Sequence, residues 1–184
     1  MRIVKKIDNK NGAVSVIFDK VIASYSFSLP FDVIELHLRD VDTTIVEDKK
    51  AVICLDANNP LIVENDVRAI KTLIMRELFR LSFSPYFPRT VGDVLVGREM
   101  IKRGLGDDLF YTYYNIMMKT KYGQTSNDYI KANLPWIIFR GFDNYNSSFL
   151  KELAEKLTKK NREADKLLNM LCHDKFDEAS KILK

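Results

Sequence analysis

The chain predicts an α+β fold: a small, mostly antiparallel N-terminal sheet, one buried central helix and a helical C-terminal half. Three observations carry that expectation. Apolar residues alternate with period two over 33–41, as in a half-buried strand. From Asn65 onward the apolar period lengthens to three or four residues, as on one face of a helix. Hydrophobic residues make up 46% of the 184, enough to bury a core at a length that suits one compact domain with a small helical appendage.

At the N-terminus, Lys10-Asn11-Gly12 reads as a turn between 1–7 and 13–18, which predicts a hairpin. Over 23–29 apolar residues alternate with Ser24, Ser26 and Ser28; a half-buried strand is expected, with a short helix over 21–27 as the alternative. After Pro30 the clean alternation puts Ile34, Leu36 and Leu38 on one strand face and Glu35, His37 and Arg39 on the other. The run 51–55 is a second, wholly apolar strand, closed by the turn formers Asp56-Ala57-Asn58-Asn59-Pro60. A sheet of about three to five strands follows.

Asn65 or Asp66 caps a helix that reaches Phe83. Val67, Ile70, Ile74, Leu78 and Leu81 mark one side, and Leu73, Met75 and Phe79 widen it until the helix is apolar nearly all round. Such a helix belongs inside the core. Pro85 and Pro88 enforce a connection, and Thr90 with Asp93 resembles a capping box opening a helix that stops at Gly104. Asp107 caps the next, with Leu109, Phe110, Tyr113, Ile116 and Met117 on its face. Another begins near Asn127, kinked or restarted at Pro135, and its stretch 134–139 reads as buried. Gly141 to Ser148 is polar apart from Phe142 and Tyr145 and is the candidate linker. The expected organisation is therefore an α+β domain over 1–141 and a helical extension over 142–184, with helices at 149–159, 162–172 and 175–183.

Composition removes several function classes. No apolar run is long enough to span a bilayer, and Met1-Arg2-Ile3-Val4-Lys5-Lys6 lacks the apolar centre of a secretory signal, so a cytoplasmic protein with no membrane partner is expected. Cys54 and Cys172 are too few for a disulfide framework or a four-cysteine zinc site and are expected as reduced, buried thiols. His37 and His173 are far apart, and the adjacent pair Cys172-His173 faces two directions on a helix. Gly104-Leu105-Gly106-Asp107 is a helix stop and start, not a phosphate loop, and no nucleophile elbow or Walker motif occurs. No cofactor is implied.

One pentapeptide stands apart: Arg76-Glu77-Leu78-Phe79-Arg80, at the centre of the buried helix. Zinc proteases place two histidines at i and i+4 with an intervening glutamate as general base. Here guanidinium groups hold both ligand positions, and a group that stays protonated repels a cation instead of ligating it. No zinc site of that kind is expected. The surrounding order, a strand over 33–41, the strand Ala51-Val52-Ile53-Cys54-Leu55, the helix with Leu73-Ile74-Met75-Arg76-Glu77-Leu78-Phe79-Arg80-Leu81 and the segment 92–104, resembles the zincin metallopeptidase fold, especially small archaeal gluzincin-like members. The resemblance implies that 92–104 matches the helix of the third, acidic ligand, with Asp93 or Glu99 nearest to it. It further implies an inactive homologue, a protease scaffold without its metal.

Glu77 shares its helix side with Ile70, Leu73, Ile74 and Leu81, and a buried carboxylate requires cationic or hydrogen-bonding partners. The expected arrangement is a charge network of Arg76, Glu77, Arg80 and Asp93, with an ordinary surface pair as the alternative. The leading functional expectation is a non-catalytic structural or binding module whose partner is another protein or a second copy. A nucleic-acid-binding alternative draws on Tyr111, Tyr113, Tyr114, Lys119, Lys121 and Tyr122, aromatics mixed with cations. Against it, the nine cationic residues over 151–184 are diluted by seven acidic ones. A third expectation, an enzyme whose acid/base work falls on Glu77 with Asp93 or Glu99, ranks last for want of a nucleophile or cofactor loop.

Overall fold

A strand that is apolar at every position needs cover on both faces and pairing on both edges, so 51–55 belongs in the interior of a sheet. In the computed structural model, which describes residues 2–6, 12–25, 29–83 and 87–183, that is where it lies. β4 (Lys50–Asp56) runs between β2 (Val33–Arg39) and the edge strand β3 (Thr43–Glu47), with β1 (Arg2–Lys6) beyond β2, in the order β1-β2-β4-β3. The fold is α+β with a helical second half, as the period change predicts. The sheet, however, is mixed: β1 pairs with β2 and β2 with β4 in parallel, and only β3 pairs with β4 antiparallel. The correction to a mostly antiparallel sheet has a physical cause. The apolar β4 takes the inner place beside β2 and displaces the more polar Thr43-Thr44-Ile45-Val46-Glu47 to the edge, through a hairpin in which Asp48 adopts φ 49°.

The second arm of the expected N-terminal hairpin is a helix, α1 (Gly12–Ser24). Lys10 and Asn11 lie outside the described residues, and so do 26–28 of the expected strand at 23–29, of which Ala23 and Ser24 belong to α1. Val14, Val16 and Phe18 imitate a strand in sequence, but Val16 is exposed while Val14, Ile17, Phe18 and Val21 are buried at helical spacing. That face packs on α3 (Val67–Phe83).

A single turn, α2 (Pro60–Val63), precedes α3; Asn59 Oδ1 caps it by accepting from Leu61 N at 3.0 Å. Asn65 then turns the chain at φ 57°, a left-handed conformation that asparagine tolerates. Asp66 caps α3 by accepting from Ala69 N at 3.0 Å. Ile70, Leu73, Ile74 and Leu78 are buried, and so are Arg76, Glu77 and Arg80, so α3 is central to the first unit.

The chain divides into the units Met1–Pro85 and Tyr86–Lys184. The expected boundary at 141/142 falls inside the second of these units. The reason is apolar: Leu134, Ile137, Ile138 and Phe139 of α6 (Ser126–Phe139) are buried, and α7 (Ser147–Leu157) and α8 (Arg162–Cys172) pack on that helix. The polar 141–146 stretch is only the turn between α6 and α7.

Within the second unit, α4 (Arg89–Met100) starts after Pro88, whose φ of −50° sets the first turn two residues early. Thr90 and Asp93 consequently sit inside the helix and form no capping box. A π turn (Ile101–Leu105) follows, in which Gly104 takes φ 81° before α5 (Gly106–Lys119) begins. Asp107 lies in the first turn of α5 and not at its cap. Gly106 leaves room for Tyr145, whose Oη would stand 2.1 Å from a β-carbon there. α6 is opened by a capping box of Thr125 and Asp128 and continues through Pro135; α9 (Phe176–Ile182) ends the unit. Among the described residues, no helix is long and apolar enough to cross a membrane.

Candidate functional site

α3 places Glu77 and Arg80 one helical turn apart, and the long stem of Arg76 folds its guanidinium back over the neighbouring carboxylate. Glu77 is 0% exposed, Arg76 7% and Arg80 5%. Arg76 donates to Glu77 Oε1 from Nε at 3.1 Å and from Nη2 at 3.0 Å. Arg80 Nε lies 3.4 Å from Glu77 Oε2. The same oxygen accepts from Thr44 Oγ1 at 2.6 Å.

Thr44 reaches it because β3 is in antiparallel register with β4, Thr44 opposite Ile53, on the sheet face that carries Ile34, Leu36 and Ile53. The turn from β2 to β3 adds Asp42, which accepts from Arg76 Nη2 at 3.2 Å and from the Asp56 amide at 2.6 Å. Two guanidinium groups thus face two carboxylates, and the Thr44 hydroxyl and the Asp56 amide add hydrogen bonds to them. A buried ion pair persists only under such conditions.

The chemistry of the arrangement is that of a closed network. Both Glu77 oxygens are engaged by groups that can only donate or that donate here, and no surface of the side chain meets solvent. It does not lie in an open cleft where a water could be activated. Among the described residues, no three His, Cys, Asp or Glu side chains are grouped to hold a metal ion.

The remaining candidates stand on α4, in the second unit. Asp93 Oδ2 lies 3.9 Å from Arg89 Nε on its own helix, and Glu99 Oε1 accepts from Arg103 Nε in an i,i+4 pair at the surface. The structure brings Arg76, Glu77 and Arg80 together and adds Thr44 and Asp42, which sequence reasoning missed. The signal for Thr44 was faint: strand parity counted back from Val46 gives the inward face, but only once β3 is recognised as a strand.

Of the aromatic run, Tyr113 is buried core, and Tyr114 packs its ring 6.0 Å from that of Phe149. Burial pushes the Tyr122 hydroxyl up to about 12. His173 Nδ1 lies 2.7 Å from the Asn169 carbonyl, where it caps α8. Neither cysteine forms a disulfide; Cys54 is buried, whereas Cys172 is only partly so, and burial raises its pKa. Comparison with protein-family models, with curated proteins and with solved structures finds no match to this chain.

Proposed function

We propose that the first unit is a non-catalytic, zincin-like scaffold that serves as a structural or protein-binding module of a cytoplasmic protein, its partner another protein or a second copy. The observation that carries this reading is the enclosure of Glu77, with Arg76, Arg80 and Thr44 on its two oxygens. Where a zinc peptidase needs a basic, water-accessible glutamate beside a metal, this chain has a carboxylate enclosed by Arg76, Arg80 and Thr44.

The network does the mechanical work in this reading. It ties the edge strand, the β2–β3 turn and the central helix together at one point, so the surface presented by β3 is held in a single position. Acid/base catalysis by Glu77 is disfavoured by the same geometry, since a carboxylate between two guanidinium groups is a poor proton acceptor.

Metal analysis and peptide hydrolysis test the proposal. The purified chain is expected to retain no stoichiometric zinc and to cleave no peptide, whereas the double variant Arg76→His with Arg80→His is expected to acquire zinc. Zinc at one per wild-type chain, or cleavage abolished by a chelator, overturns it. Molar mass by light scattering separates a second copy from a different partner.

A further inference from the structure

The other face of the sheet carries a line of charge that the Glu77 centre does not use. Along β2, Glu35, His37 and Arg39 alternate with the buried Ile34 and Leu36 and the half-buried Leu38 and so point away from α3. Glu35 and His37 are nonetheless 7% and 8% exposed. Lys50 Nζ lies 3.2 Å from Glu35 Oε1, Glu35 Oε2 lies 2.9 Å from His37 Nε2, and His37 Nδ1 lies 3.3 Å from Arg39 Nη2.

The neighbours decide the state of the ring. A guanidinium has only hydrogens to offer and an ionised carboxylate only lone pairs. Arg39 therefore requires a lone pair on Nδ1, and Glu35 requires a hydrogen on Nε2. Both demands are met by one form alone, the neutral imidazole with its hydrogen on Nε2. A second proton must go to Nδ1, where it meets the N–H of Arg39 head on: two donors and two like charges at hydrogen-bonding distance.

Other groups on this face frame the consequence. β4 contributes Lys50, Cys54 in register with His37, and Asp56 in register with Arg39; β3 contributes Glu47, opposite Lys50. Glu35 gains from a protonated ring, because its hydrogen bond becomes charge-assisted on both sides. Asp56 offers a released Arg39 an anion one strand away.

We propose that His37 is a proton-operated latch on Arg39: the neutral ring holds the guanidinium, and the protonated ring releases it while tightening on Glu35. Arg39 is the last residue of β2, so the release changes the charge presented at the root of the 40–42 turn, which carries Asp42. This inference is independent of the zincin-like reading.

The test uses the full chain labelled with ¹⁵N at histidine and arginine, followed by NMR from about pH 8 to about pH 4.5, the span in which imidazoles ordinarily titrate. The expected result is a hydrogen on Nε2 of His37 at the upper end, and a shift of the Arg39 side-chain signals with the same midpoint as His37 protonation. A hydrogen on Nδ1, an imidazole that keeps one state throughout, or Arg39 signals that ignore the His37 step each overturn the latch. In a His37→Asn variant the Arg39 step is expected to vanish; its persistence at the same midpoint would assign it to the carboxylates and overturn the proposal.

Discussion

In the first unit four charged groups, Arg76, Glu77, Arg80 and Asp42, meet against the sheet, and the central one is wholly enclosed. In the second unit the buried Thr112, Asn133 and Thr158 carry no charge, and each is satisfied by a carbonyl one helical turn back: Asp108 O at 2.8 Å, Tyr129 O at 2.9 Å and Ala154 O at 3.0 Å. The difference teaches where polar satisfaction comes from. A helix supplies a local acceptor to any short donor it carries, so Thr112, Asn133 and Thr158 are each satisfied within a single element. A carboxylate on a central helix finds no donor in its own backbone; Glu77 draws on the side chains of Arg76 and Arg80 on the same helix and on Thr44 from a distant strand. The polar interior of the first unit is therefore a tertiary property, and it concentrates risk in one side chain.

The strongest way to break that contrast is Glu77→Ala. Removing the anion leaves two guanidinium groups buried without it, and a loss of about 3–5 kcal/mol from the first unit is expected, read as faster native-state hydrogen exchange of β3, β4 and α3 amides. Thr44→Val comes next: it withdraws a hydrogen bond to a charged group, worth about 1.5–3 kcal/mol, and chemical denaturation of the two variants and their double mutant should show strong non-additivity. If Thr44→Val costs as much with Glu77 removed as with it present, the two are not coupled.

The second unit should yield to steric change instead. Gly106→Ala drives a β-carbon into Tyr145, whose ring also packs on Phe110 and Phe139 and whose hydroxyl donates to Asp107. A loss of about 1–3 kcal/mol is expected, visible as a lowered Tm.

This unit should also fail first in alkali. Burial pushes Tyr122 up to about 12, and burial with Asp165 pushes Tyr129 up to about 12. A folded-state pKa raised above the unfolded value of about 10 means full stability below pH 10 and a loss as pH climbs from about 10 to about 12. The effect is on the order of 2 kcal/mol for Tyr122, checked by denaturation at stepped pH with a Tyr122→Phe control. The smallest effect belongs to Thr158→Val, which gives up only a bond to the Ala154 carbonyl: about 1 kcal/mol, measured beside Thr44→Val as the same substitution in the other unit.

Much of the helical half was legible because its cues are local. Glycine at 104 and apolar spacing act within one or two turns, and the helices stand close to where they are expected. The errors share a different origin. Ala13 to Phe18 satisfies both a period of two and a period of 3.6, and only packing against α3 selects the helix. The mixed sheet depends on which strand wins the place beside β2, a competition between 43–47 and 51–55 that no window of sequence contains. At the site, the burial of Glu77 beside Arg76 and Arg80 was readable from the apolar helix around it, while Thr44 and Asp42 were not, because they are more than thirty residues away.

Periodicity and side-chain chemistry thus carry the α+β class, the central place of α3 and the presence of two guanidinium groups beside Glu77, since each depends on residues within a few turns of one another. Strand order, the division after Pro85 and the partners of Glu77 came only with the folded chain. Those features arise from burial shared between segments far apart, and the free energy of a buried charge is set by whatever the whole fold brings to it.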